Sequence, residues 1–309
     1  MQEVYVTEPG AINLDQLRQL LPADSYAITA GHPTFAGDFT SRAQVLIIRT
    51  ATTVTPEVCQ KFPQLKAVIR MGTGLDNVDT KYCETAGIKV YNAPGANADA
   101  AAEYVTAMIL HVRRRLYLLD EQRVSSWRRF DFSGTSISEQ SVGIVGFGNI
   151  GKLLKQKLAG LGASEFYVYD PFLTAETVTQ YGATMLALDE LLAQADIVSL
   201  HLPLTDETRH LINDDKLALM KEGALLINAA RGGIVDETAL LAAIQSKNLY
   251  YVADTVEGEP HVNPALLAHE RVVVTPHIAS LTAASETAML STAVGNFLKA
   301  QGPVSVDKY

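Results

Sequence analysis

The sequence predicts an α/β protein built from two doubly wound parallel sheets, one in each of two domains. Three observations predict it. Short apolar runs alternate with longer amphipathic segments, the pattern of parallel strands joined by crossover helices. The runs fall into two blocks, divided by a long helical stretch from about Ala98 to Val124. A length of 309 residues, 48% of them hydrophobic, suffices for two separate cores.

In the first block VYVTEP (4–9), YAITAG (26–31), VLIIRT (45–50), AVIRMG (67–72) and IKVYNA (88–93) read as strands. LDQLRQLL (14–21) and PEVCQKF (56–62) read as two of the helices between them. The second block supplies SVGIVGFG (141–148), FYVYD (166–170), DIVSLHLP (196–203), ALLINAA (224–230), YYVADTV (250–256) and VVVTPH (272–277). The stretch SSWRRFDFSGTSISE (125–139), rich in serine and aromatic residues, reads as the connection into the first of these strands. A last helix, about Ala283 to Ala300, is expected back against the first block, because the second sheet already has its strands.

Charge and cysteine content narrow the partners. With 25 basic against 34 acidic residues the chain is acidic, which argues against tracking a nucleic acid backbone or an anionic membrane by bulk charge. The run Arg113-Arg114-Arg115 reads as the solvated edge of a helix. Only two cysteines, Cys59 and Cys83, are present, without metal-ligand spacing, so no metal site is expected and a reducing compartment fits. The start MQEVYVTEPG lacks a signal-peptide pattern, and no apolar run reaches the ~18 residues of a membrane span. A cytoplasmic protein is expected.

The most specific local motif is SVGIVGFGNIGKLLKQKLAGLG (141–162), in which Gly146, Gly148 and Gly151 form G-x-G-x-x-G between a strand and a helix. Gly146 permits a tight turn, Gly148 leaves a pyrophosphate room, and Gly151 lets helix and strand approach closely. The helix start offers free N–H groups and partial positive charge. The next strand ends in Asp170, about where a carboxylate would accept hydrogen bonds from a ribose. These features predict dinucleotide binding, and Asp170 would repel a 2′-phosphate, which favours NAD over NADP.

Ligands of open parallel sheets meet the carboxyl ends of the strands. Here those ends carry His201-Leu202-Pro203, Arg231-Gly232-Gly233, Asp254 and Thr275-Pro276-His277. Arg231 presents a fork of donors that matches a carboxylate, with a salt bridge to Asp236 or Glu237 as the plain alternative. Glu259 stands alone as a solvated loop carboxylate, and His277 alone as a structural side chain. Together they supply what reduction of a 2-keto acid demands: an anchor for the carboxylate, a proton donor, and a group that orients the donor.

Seven segments, RTATTVT (49–55), RMGTGLDNVD (70–79), VGIVGFGNIG (142–151), HLPLTDETRHLI (201–212), NAARGGIVDE (228–237), EGEP (257–260) and TPH (275–277), give the chain a resemblance along almost its whole length. It resembles the D-2-hydroxyacid dehydrogenases, most closely their branch acting on D-3-phosphoglycerate. The resemblance implies a Rossmann NAD-binding domain, residues 98–280, inserted in a flavodoxin-like substrate domain formed by residues 1–97 and 281–309, with substrate bound in the cleft between them. It implies that Arg231 grips the substrate carboxylate and polarises the carbonyl, that His277 is the acid/base, and that Glu259 pairs with it. Asn149 and Ile150 would lie at the pyrophosphate, Asp170 at the ribose, His201, Pro203 and Thr208 along the cofactor, and Ala229 and Asp254 by the nicotinamide. The backbone of Met71, Gly72, Thr73 and Gly74 would receive the substrate carboxylate, with Arg49 and Asn97 beside it. Thr73 and Asp76 also read as a helix N-cap turn.

The family likeness further implies a homodimer through residues 98–124 and the WRRFDF segment. The implied substrate pair is D-3-phosphoglycerate and 3-phosphohydroxypyruvate, with glyoxylate, hydroxypyruvate or other 2-keto acids as the alternative, because the skeleton is shared. A corepressor-like protein that binds NAD and a protein partner is the non-enzyme alternative. Two departures stand out: Ala253-Asp254-Thr255-Val256 replaces the usual Leu-Asp-Val-Phe, and Tyr250-Tyr251 stands where small residues are common. A regulatory domain after the last helix, and control by serine of that kind, are not expected.

Overall fold

The computed structural model describes residues 1–31, 35 and 39–301. The chain divides into two compact units, Met1–Asn97 with Leu281 onward, and Ala98–Ser280. The first unit has a five-stranded sheet of β1 (Gln2–Val6), β2 (Tyr26–Ala30), β3 (Val45–Ile48), β4 (Ala67–Arg70) and β5 (Lys89–Tyr91). All pairs are parallel, in the order β2-β1-β3-β4-β5. That is the flavodoxin-like order, with its reversal of winding between β1 and β3. Val45 to Ile48 are all buried, as a central strand covered on both faces requires.

Helices cover the two faces. On one, Leu17 of helix Leu14–Leu20 packs in a core with Met289, Leu290, Val294 and Phe297 of the final helix, Ala283–Gln301. On the other, Cys59 and Cys83 lie in a core with Phe62, Val68 and Ile48. Burial pushes the Cys59 thiol up to about 12 and raises Cys83 as well, so both behave as inert apolar groups.

The second unit carries a seven-stranded parallel sheet: β6 (Ser141–Val145), β7 (Glu165–Tyr169), β8 (Thr184–Met185), β9 (Ile197–Leu200), β10 (Leu225–Asn228), β11 (Tyr250–Ala253) and β12 (Val272–Val274). Its order is β12-β11-β10-β9-β6-β7-β8, so the winding reverses between β6 and β9. The short edge strand β8 has too few residues for an apolar run, and the sequence does not announce it.

The helix expected over 98–124 ends at Arg113. Arg115 then takes a left-handed conformation (φ 55°), a single turn follows at Leu116–Leu118, and a new helix, Glu121–Ser125, starts behind the capping carboxylate of Asp120. Arg113 is also not a solvated edge. Its guanidinium is tucked under the sheet, where it donates to the carbonyls of Gly223 and Asp196, and burial pushes its pKa down to about 10. Among the described residues no helix is long and apolar enough to cross a membrane.

Candidate active site

The fingerprint turn lies at the reversal point of the second sheet. Gly146 has φ 94°, and a Cβ there would stand 2.6 Å from the carbonyl oxygen of His201. A Cβ on Gly151 would stand 2.5 Å from the oxygen of Gly146. Both glycines are therefore demanded by close backbone approach. Gly148 differs: a Cβ there would meet nothing within 4 Å, so the opening faces outward, at the start of helix Asn149–Gly160. Exposed Asn149 and partly exposed Ile150 flank that opening. An open position over free helix N–H groups fits a dinucleotide pyrophosphate.

Asp170 directly follows β7 with its carboxylate turned to the fingerprint, accepting from the N–H of Phe147 at 2.9 Å and of Phe172 at 3.0 Å. Two carboxylate oxygens keep further lone pairs for a ribose. The His201 imidazole is held by Ser199 Oγ at 2.9 Å from Nε2, and burial pushes it down to about 4, so the ring is neutral. Beyond it, the Thr208 hydroxyl donates to Pro203 O (2.7 Å) and accepts from the Thr205 N–H (2.8 Å), fixing the loop between them. Ala229 follows β10, partly exposed, in a turn tied by Asn228: its Oδ1 accepts from Ala230 N–H and its Nδ2 donates to Arg231 O.

In the same unit the structure brings Arg231, Glu259 and His277 together electrostatically. His277 Nδ1 lies 2.9 Å from Glu259 Oε1. The hydrogen bond from His277, with the charges of His277 and Arg231, holds the Glu259 carboxyl below its ordinary range, although partial burial opposes them. The two carboxylates that the sequence set beside Arg231 as an alternative each have a backbone role. Asp236 caps helix Glu237–Lys247 through the N–H groups of Thr238 and Ala239. Glu237, 6% exposed, accepts from the N–H of Glu257 at 2.7 Å.

Two devices place the pair. Gly232, next to Arg231, lies against the loop that leads to Glu259: a Cβ would stand 2.1 Å from both C and O of Val256. His277 has φ 55°, a left-handed conformation that is uncommon outside glycine. Asp254 imposes it. Its carbonyl accepts the His277 N–H at 2.9 Å, Oδ1 accepts from Ile278 N–H (2.8 Å) and Thr275 Oγ1 (2.6 Å), and Oδ2 accepts from Ala279 N–H (2.7 Å). Thr275 Oγ1 also lies 2.6 Å from Tyr104 OH, which must donate because the threonine hydrogen is used. Asp254, expected beside the nicotinamide, thus directs its carboxylate to the histidine's own loop.

The first unit assembles its own set. Met71 is buried and its N–H is bonded to Ile48 O, so that donor is used within the sheet. Gly72 has φ 149°, and the Arg70 guanidinium lies over it, with Nη1 only 1.4 Å from where a Cβ would be. Thr73 Oγ1 lies 3.0 Å from Ala93 O and 2.8 Å from Asn97 Oδ1, and Asn92 Nδ2 donates to Thr73 O, which ties the loop 71–74 to Asn97. Thr73 and Asp76 do not form the N-cap turn: helix Thr80–Thr85 is capped by Asp79, which accepts from Tyr82 N–H. Arg49 donates to Ala11 O at 2.9 Å and pairs with Glu286.

Residues 105–279 match the sequence model of the D-isomer specific 2-hydroxyacid dehydrogenase, NAD binding domain. The chain belongs to that family. Its matched segment is an NAD-binding domain, and the fingerprint and Asp170 lie within it. Over 248 residues the chain is 43% identical to D-3-phosphoglycerate dehydrogenase of Mycobacterium bovis, which covers 79% of this chain and 46% of that one. It therefore spans about half the length of the curated relative it matches. It is 36% identical over 250 residues to hydroxypyruvate reductase of Thermotoga maritima, covering 78% and 79% of the two chains. D-lactate dehydrogenase of Aquifex aeolicus, solved with NAD and lactic acid, superposes with a TM-score of 0.82 at 26% identity over 97% of this chain and 96% of that one.

Within this family frame the departures find places. Tyr251 is fully buried in the core beneath helix Glu237–Lys247, and Tyr250 on the opposite face meets the ring of Tyr117. Sequence reasoning missed Arg70, Tyr104, Glu237 and Glu286. Arg70 had a signal, since it directly precedes the glycine loop that it covers. The others act through tertiary contacts that no local pattern announces.

Proposed function

We propose that the protein interconverts a D-2-hydroxy acid and its 2-keto acid, using NAD. The observation that carries this reading is the His277 Nδ1 to Glu259 Oε1 hydrogen bond of 2.9 Å, with the Arg231 charge acting on the same glutamate. Bound NAD supplies or takes up the hydride. In the reductive direction Arg231 holds the substrate carboxylate and draws electron density toward the carbonyl oxygen. Glu259, kept ionised, accepts the Nδ1 hydrogen of His277 and so leaves Nε2 as the proton donor to that oxygen. In the oxidative direction Nε2 takes the hydroxyl proton back. The backbone of 72–74 and Asn97 receives the carboxylate, while Asn149, Ile150, Asp170, His201, Pro203, Thr208 and Ala229 hold the cofactor. Asp170 favours NAD over NADP.

The name of the mycobacterial relative favours D-3-phosphoglycerate and 3-phosphohydroxypyruvate as the substrate pair. Hydroxypyruvate is the second reading, favoured by the occupation of Arg49 by Glu286. A homodimer in the cytoplasm completes the proposal.

The test is NADH oxidation with a panel of 2-keto acids, wild type against Arg231→Ala. Turnover by the wild type and a loss of at least a hundredfold in kcat/KM in the variant are expected, with NADH affinity retained. NADH binding without turnover of any keto acid would instead mark a binding protein that responds to NAD.

A further inference from the structure

The reversal point of the first sheet, between β1 and β3, is where open α/β sheets take ligands. Glu8 follows β1 there and Arg49 follows β3, with Arg70 at the end of β4. The donors of the segment after β3 are already engaged. Glu8 Oε1 accepts from the N–H groups of Arg49 (3.0 Å) and Thr52 (3.1 Å) and from the Thr52 hydroxyl (3.0 Å), and Oε2 accepts from Ala51 N–H (3.1 Å).

The Arg49 guanidinium, its side chain only 18% exposed, is held on one nitrogen by Ala11 O and on the other by Glu286. Glu286 lies in the first turn of helix Ala283–Gln301, and that helix is tied down beside it by Gln16 Nε2, which donates to Thr287 O and Ser291 Oγ. Burial holds the Glu286 pKa above its ordinary value although Arg49 opposes it, and the ion pair sets carboxylate against guanidinium in a partly desolvated setting.

At this edge the Arg49 guanidinium is thus set against the Glu286 carboxylate. A simple 2-keto acid brings one negative charge, whereas a phosphorylated one brings about 1.5 to 2 more. An uncompensated Arg49 would reward that extra charge with charge-assisted hydrogen bonds. Beside Glu286 the reward is cancelled, and the phosphate also meets a like charge.

We infer that Glu286 is a specificity-determining residue: by neutralising Arg49 it lowers the preference for a phosphorylated 2-keto acid over its unphosphorylated counterpart. The inference rests on the proposed reduction of 2-keto acids and names the group that sets the accepted tail. It is tested by kcat/KM for 3-phosphohydroxypyruvate and for hydroxypyruvate in the wild type and in Glu286→Gln. The ratio of the first to the second is expected to rise about tenfold in the variant, or about 1.4 kcal/mol, chiefly through KM of the phosphorylated acid.

An unchanged ratio overturns the inference. So does a fall, which would mean that Glu286 aims Arg49 at the phosphate. Glu286→Ala must move the ratio the same way, and NADH affinity and Tm report whether each variant is folded. If the wild type reduces neither acid, these two substrates are refuted for the proposed activity, and calorimetric titration with the two acids still decides: tenfold tighter binding of the phosphorylated one by Glu286→Gln supports the inference. Equal binding, or none to either protein, overturns it.

Discussion

Glu259 has two roles that pH separates. Its carboxylate orients His277, and the charges of His277 and Arg231 depress its own pKa below the ordinary value of 4.5. A group whose folded pKa is depressed stabilises the fold above its unfolded pKa and loses that contribution as pH falls through the folded pKa. Glu259→Gln removes the charge at every pH. The Tm gap between wild type and variant is therefore expected to shrink as pH falls below about 4.5. Thermal melts across pH 3–6 check this, and a gap that widens toward acid refutes it. In turnover, the same variant should lose about a hundredfold in kcat, in the range of misplaced general acids.

Among elements, the turn after β10 and the loop after β11 form one unit of construction. Gly232 lets the backbone of Val256 and Glu257 pass beside Arg231, while Glu237, at the start of the following helix, holds Glu257 N–H from below. Gly232→Ala would push that backbone aside, because no flexible side chain end stands in the way that could yield instead. We expect a loss of about 1 to 3 kcal/mol in stability, the usual cost of overpacking, and a fall in kcat beyond tenfold because Glu259 moves with the loop. Urea unfolding and steady-state kinetics together check it, and a variant with wild-type kcat would remove Gly232 from the site. The glycine, the arginine and the fingerprint were legible in the sequence because each answers a local backbone or charge requirement. The left-handed His277 was not, since Asp254 imposes it from another strand. Nor was the end of the helix at Arg113, where a buried cation meets carbonyls more than eighty positions away in the chain.

At the scale of the whole molecule, both sheets were legible as alternating apolar runs and helices, and the two-residue strand β8 was the strand that escaped. The segment after Arg113 shows what such patterning cannot separate. Its leucines continue the apolar rhythm of the preceding helix, yet Leu116, Leu119, Val124, Trp127 and Phe130 are exposed, the last two at 78% and 79%. Large apolar side chains gathered in one exposed stretch suit an association surface, the kind of surface that the proposed homodimer needs. Arg129 stacks on the Phe130 ring and Arg128 pairs with Asp131, so the segment has a polar rim that would hold a partner in register. Replacing Trp127 and Phe130 together by Asp adds charge to the centre of that surface without touching a buried residue. Sedimentation is expected to change from dimer to monomer, with Tm lower by several degrees and concentration-dependent in the wild type alone. A wild type that already sediments as a monomer, or a double variant that remains dimeric, would remove this segment from the interface.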